Sequence, residues 1–175
     1  RSMLGRALAG GAISLGIGIM AAAVAVVLGV SVGLIAGYAG GWVDNLLMRI
    51  VDVLYSLPYV LMVVLIKIAM EAGLGKVMQP QAANLVVLFL AIGLVSWLTM
   101  ARVVRGQVLS LRNQPFVEAG RALGLPRWRI LLRHVLPNLV GPVIIYATLT
   151  IPQAILQESF LSFLGIGIQP PMPTW

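Results

Sequence analysis

Glu118-Ala-Gly-Arg-Ala-Leu-Gly124, followed directly by Leu125-Pro-Arg-Trp-Arg-Ile-Leu-Leu-Arg-His-Val-Leu-Pro137, is a basic stretch set between two long apolar segments. A chain that is apolar on both sides of one structured, arginine-rich loop reads as a polytopic membrane protein with a polar handle. A handle of this kind serves to contact another protein or the lipid surface.

The composition agrees. Of 175 residues, 60% are hydrophobic and 10% charged, and the mean hydropathy is +1.01, far outside the usage of soluble domains. A crossing needs roughly 20 apolar residues to span a ~30 Å hydrocarbon core, so the chain has room for about four crossings and no separate soluble domain. The net charge of +7 sits in arginines next to apolar segments, where it sets orientation, so nucleic acid is not an expected partner. With no cysteine, a disulfide framework and a thiolate metal site are both excluded. The chain begins Arg1-Ser2-Met3 with no signal-peptide pattern, which reads as a piece of a longer protein.

Four spans are expected, at residues 9–37, 46–68, 84–105 and 138–163. In the first, Gly29, Gly33 and Gly37 recur every four residues. They share one helix face and would let a neighbouring backbone approach closely. Gly37-Tyr38-Ala39-Gly40-Gly41-Trp42 then breaks the helix and puts aromatics at the headgroup level, with a turn near Asp44. The second span carries Pro58, and Arg49 and Asp52 at a spacing that allows them to pair; a gating or partner-contact role is the other reading. Glu71 to Ala83 reads as an exposed connection. In the fourth span, Pro142 and Pro152 free backbone carbonyls and favour bends, which suits either a pathway or packing.

Arg102, Arg105, Arg112, Arg121, Arg127, Arg129 and Arg133 face a single acid, Glu118. The positive-inside rule therefore places the loop at about residues 106–135 in the cytoplasm, together with the turn at Asp44. The 71–83 connection and the end of the fourth span near Gly165 lie outside. Within the loop, Asn113-Gln114-Pro115 supplies a cap and a first-turn proline, and Gly124-Leu125-Pro126 supplies a stop. Between them one short helix is predicted, about Pro115 to Leu123. Glu118 in its first turn and Arg121 three residues on complement the helix dipole. Phe116, Val117, Ala119 and Leu123 leave part of its surface apolar. A helix this short is marginal alone in water and needs the bilayer surface, the rest of the chain or a partner's groove to lie against.

At these residues the chain resembles the permease subunits of binding-protein-dependent ABC importers. Their cytoplasmic signature reads Glu-Ala-Ala, three residues, Gly, nine residues, Ile, one residue, Leu-Pro. Glu118, Ala119, Gly124, Leu136 and Pro137 hold the defining positions, Gly120 replaces the second alanine, and His134 stands at the isoleucine position. Arg133 to Asn138, Gly40 to Asp44, Val104 to Leu111, Ser162 to Gly167 and Pro170 to Trp175 are similar to the dipeptide, oligopeptide and nickel subfamily.

The resemblance implies an all-α, type I importer permease bundle, a single transmembrane domain over residues 1–175 with a cytoplasmic coupling helix. It implies a multi-pass protein of a bacterial or archaeal inner membrane, in contact with membrane lipid. It also implies a second permease subunit, two cytoplasmic ATPases and an extracytoplasmic substrate-binding protein as partners. The expected activity is translocation of peptides or a related small solute, such as a nickel complex, by alternating access. The chain would be a transport subunit and not an enzyme, with no cofactor and no metal. The motif's glutamate and glycine, Glu118 and Gly124 here, shape the coupling helix; Phe116, Ala119, Gly120 and Arg121 complete the expected ATPase-binding set, and Leu136 and Pro137 end the motif. Six crossings are usual in this subfamily, so the chain is expected to be a core fragment without the first and last.

Other features are weaker. His134 has no second histidine or cysteine to complete a metal site or triad and reads as a structural loop residue. Gly75-Lys76 resembles the end of a phosphate-binding loop, but Val77 replaces the required Ser or Thr and Met70 the first glycine. Glu158 is the clear intramembrane acid. It is either a pathway or gating residue, or simply hydrogen-bonded at a helix junction. A secondary transporter would need interrupted, repeated spans and several midplane charges. A channel or scaffold with a lipid-binding basic loop would not need the motif's spacing.

Overall fold

The computed structural model of the chain describes residues 3–74 and 80–167. Gly75-Lys76 and the stretch Pro170 to Trp175 lie outside the described residues. Its elements are α1 (Met3–Ala39), α2 (Gly41–Tyr55), α3 (Tyr59–Leu74), α4 (Pro80–Leu111), α5 (Pro115–Ala122), α6 (Arg127–Ile130) and α7 (Leu136–Phe163), and a π turn, Leu131–Val135, joins α6 to α7. Among the described residues, three helical runs are long and apolar enough to cross a membrane: Met3–Ala39, Ala82–Leu111 and Arg127–Phe163. A fourth crossing is present if the bent pair α2 and α3 is one span.

The stretch expected as one span at 46–68 therefore falls on two helices. Pro58 explains the break: it has no N–H to donate, and its ring drives Leu57 out of the helical region. The end of α2 is closed locally, the Ser56 N–H donating to Asp52 O at 3.0 Å and Ser56 Oγ to Val53 O at 2.6 Å. At the other end of the chain's third apolar stretch, α4 runs past residue 105 to Leu111. A helix that already has its backbone paired does not stop merely because it reaches the membrane edge.

By packing, the described residues among 1–25, 57–96 and 147–175 form one compact unit, and residues 26–56 and 97–146 a second. In the first, Ile17 and Ala21 of α1, Val63 of α3, Leu88 and Ile92 of α4 and Leu161 of α7 are buried together. Lipid tails are as apolar as these side chains, so close van der Waals packing holds such a cluster rather than exclusion of water. Small residues permit that closeness: a Cβ on Gly93 would stand 2.8 Å from the Cβ of Val24.

In the second unit, the predicted glycine face of α1 is buried against α4. A Cβ on Gly29 would lie 2.5 Å from the Cβ of Met100, one on Gly33 2.5 Å from the carbonyl oxygen of Ala101, and one on Gly37 2.7 Å from the Cβ of Val108. The two backbones are flush over this whole length, the arrangement that small residues four apart allow.

Candidate coupling surface

Only residues 112–114 separate α4 from α5, folded as a tight turn in which Gln114 N–H donates to Leu111 O at 3.1 Å. Gln114, extended at φ −79° and ψ 147°, is the N-cap, and Pro115 takes the first helical position. No side chain caps this end; the predicted cap is met by the Gln114 carbonyl, which accepts from Val117 N–H at 2.9 Å and Glu118 N–H at 3.2 Å. Pro115 is suited to its place because the N–H it lacks would have had no helical partner.

The far end closes as the glycine predicts. Gly124 has φ +73°, the Gly124 N–H donates to Arg121 O at 3.0 Å, and the Leu125 N–H reaches back to Gly120 O at 3.1 Å. These two bonds together form a Schellman stop, which satisfies carbonyls that an open helix end would leave orphaned.

One face of α5 is packed and the other open. Val117 and Ile130 are wholly buried, and Gly120 lies over Ile130, whose Cγ1 would be 3.5 Å from a Cβ at that glycine. Phe116, Glu118, Ala119, Arg121 and Leu123 are exposed, with Leu123 at 80%. Trp128 and Leu132, also exposed, extend the same mixture of apolar and basic groups. The rest of the chain is thus what α5 leans on, while its outer side remains an amphipathic, arginine-bearing surface.

Leu136 and Pro137 begin α7 directly after the π turn. Pro137 cannot donate to the carbonyl four residues back and its ring crowds that carbonyl. The widened turn accommodates this, the Leu136 N–H bonding instead to Leu131 O. His134, expected in a loop, belongs to this turn. Its ring centroid lies 6.5 Å from that of Phe116, and its carbonyl accepts from Asn138 Nδ2 at 2.7 Å.

Arginines of α4 and of the turn that follows it reach the first two helices. Arg105 grips Asp44 through two bonds, Nε to Oδ1 at 2.5 Å and Nη2 to Oδ2 at 2.7 Å, and the Asp44 side chain is only 10% exposed. Arg112 Nη1 donates to Gly37 O at 3.1 Å, in the last turn of α1, where a cation complements the helix dipole. Asp52 pairs with Arg102 at 2.7 Å, not with Arg49 as the local spacing suggested, and the same guanidinium lies 4.1 Å from the ring centre of Tyr55. This second pair is open to solvent and contributes no more than about 1 kcal/mol. Arg49 lines an open groove along α2 with Trp42, Asn45 and Asp52. The Arg105–Asp44 fork and the Arg112 contact were not foreseen; their only sequence signal is the row of arginines itself.

Glu158 is fully buried in the first unit. Ser162 Oγ donates to its Oε1 at 2.8 Å, and Ser14 Oγ of α1 stands 3.5 Å from its Oε2. The neighbours Gln157 and Ser159 turn elsewhere, Gln157 Oε1 accepting from Tyr59 Oη at 2.7 Å and Ser159 Oγ donating to Ile155 O at 2.9 Å. Among the described residues no cluster of His, Cys, Asp and Glu could hold a metal ion.

Apolar helices long enough to cross a membrane, joined by a short helix stopped at both ends on a basic loop, are the arrangement that the resemblance to ABC importer permeases implied. Matched over residues 29–175, the chain belongs to the family of binding-protein-dependent transport system inner membrane components. Its relatives include the oligopeptide transport system permease protein OppC of Haemophilus influenzae, 45% identical over 175 residues that cover all of this chain and 53% of that protein. The dipeptide transport system permease protein DppC of Bacillus subtilis is 43% identical, with 51% of its length covered. The glutathione transport system permease protein GsiD of Pectobacterium atrosepticum is 38% identical, with 54% covered. The chain spans about half the length of these curated relatives. In fold it is similar to a chain of the MetNI methionine ABC transporter in inward-facing form, with a TM-score of 0.76 at 21% identity over 94% of this chain and 77% of that one.

Proposed function

We propose that the protein containing this chain moves peptides across the membrane by alternating access, with α5 as the helix through which ATPases act. The observation that carries the reading is the build of α5: an eight-residue helix, stopped at Gly124, packed on one face and open on the other, between two membrane-crossing runs. A body of this kind moves as a unit when a groove grips it. Phe116, Glu118, Ala119, Arg121 and Leu123 offer the outward surface, Gly120 the flat inner contact, Gly124 the stop, and Leu136 with Pro137 the rigid join to α7. The relatives named for oligopeptide, dipeptide and glutathione transport support a peptide substrate over a nickel complex. The partners of the reading are a second permease subunit, two ATPases, an extracytoplasmic binding protein and surrounding lipid. Glu158, sealed from solvent, acts on the gate by pinning α7 to α1 and does not line the pathway.

The test is co-purification of the complete permease pair with its ATPases, comparing the native loop with Glu118→Ala plus Gly124→Val. Retention by the native loop and loss from the variant is expected. Failure of the native form to retain any ATPase overturns the reading.

A further inference from the structure

We infer that Asp44 and Arg105 are positioning residues that carry the motion of α5 into the α1–α2 corner, an inference that rests on the coupling role proposed for α5. The corner is Gly40 and Gly41, with φ +66° and +55°, and the end of α4 together with the turn that follows it grips the corner on both sides. On the α1 side, Arg112 Nη1 holds Gly37 O at 3.1 Å and lies so close over the corner that a Cβ on Gly40 would be 2.9 Å from it. On the α2 side, Arg105 holds Asp44, a residue of the first turn of α2.

The form of that grip matters. A planar guanidinium meeting a carboxylate through two parallel bonds fixes angle as well as distance, unlike the point contact of a lysine. The Asp44 side chain is nearly enclosed while the Arg105 side chain is 32% exposed, so water reaches this pair less than it reaches the Arg102–Asp52 contact. The flush packing of Gly29, Gly33 and Gly37 on α4 keeps α1 in close backbone contact with it. Arg112 itself stands at the start of the three-residue turn that leads to α5. A displacement of α5 therefore pulls the end of α4, and α4 takes the corner and the start of α2 with it.

The experiment measures substrate moved per ATP hydrolysed by the complete importer in proteoliposomes, together with retention of the ATPases on purification. Asp44→Asn and Arg105→Gln should keep the ATPases and hydrolyse ATP, yet move at least about tenfold less substrate per ATP. The double variant should be no worse than either single, because both remove one interaction. Arg105→Lys, which keeps the charge and loses the fork, should show a smaller loss, and Asp52→Asn should leave the ratio native. An unchanged ratio in Asp44→Asn or Arg105→Lys overturns the inference, as does loss of the ATPases from both. If the native importer retains no ATPase, it is the proposed function that fails instead.

Discussion

The carbonyl oxygen of Ala101 stands where a side chain on Gly33 would begin, 2.5 Å from the position of its Cβ. Backbone cannot turn aside as a flexible side chain can. Gly33→Ala should therefore force α1 away from α4 and cost about 1–3 kcal/mol, seen as a lower Tm in detergent. Gly16→Ala, with no atom within 4 Å of the added carbon, should change stability by no more than about 1 kcal/mol, in the stabilising direction. Equal Tm values for the two variants would show that the flush contact carries no load.

Gly120 replaces the second alanine of the signature, yet an added Cβ there meets Ile130 Cγ1 at 3.5 Å, Ile130 Cδ1 at 3.6 Å and Leu125 Cδ1 at 3.6 Å, ordinary contact distances. Gly120→Ala should fold, retain ATPases as the native loop does, and stabilise α5 by up to about 1 kcal/mol. Loss of the ATPases in this variant would mean that the outer partner, not the packing beneath, requires the glycine.

At Gly124 the situation is reversed: nothing lies within 4 Å of an added Cβ, and the constraint is its φ of +73°. Gly124→Val should cost roughly 1–2 kcal/mol through backbone strain alone, open the end of α5 and speed proteolysis of the loop. Gly124→Asn, tolerant of the left-handed region, should lose less than half of that. Identical cleavage rates for the two variants would contradict the assigned stop.

Glu158 accepts from Ser162 and faces Ser14 in a site closed to solvent. Glu158→Gln keeps the shape and an acceptor oxygen and should cost no more than about 1 kcal/mol. Glu158→Ala leaves both hydroxyls without their carboxylate and opens a cavity, and should cost about 2–5 kcal/mol. Thermal unfolding of the purified subunit measures both, and equal destabilisation would show that the carboxylate itself, and not the volume or a single acceptor oxygen, is what the site needs.

Features carried by local spacing were legible before the fold was seen. The four-residue glycine period named the face of α1 that meets α4, and Pro115 with Gly124 named the limits of α5. Contacts set by tertiary placement were not. The spacing of Arg49 and Asp52 offered a local partner, but Arg102 stands closer to Asp52 once α4 is in place. Charge marks the membrane edge, and so it could not show that α4 continues beyond residue 105 to Leu111. Pro58 was expected inside a single span because prolines are tolerated in membrane helices; here it separates two helices. The π turn before Pro137 has no motif of its own.

That turn inserts what amounts to one extra residue between the basic loop and the helix that follows. Each residue turns an α-helix by about 100°, so everything upstream of Leu131 is rotated by that much relative to an uninterrupted helix. The buried positions keep count of it: Ile130, Val135 and Leu139 are spaced by five and then by four. Chimaeras that graft this loop onto the last helix of another permease must keep the cut outside residues 131–135. A join that loses the extra residue would deliver an intact α5 facing the wrong way.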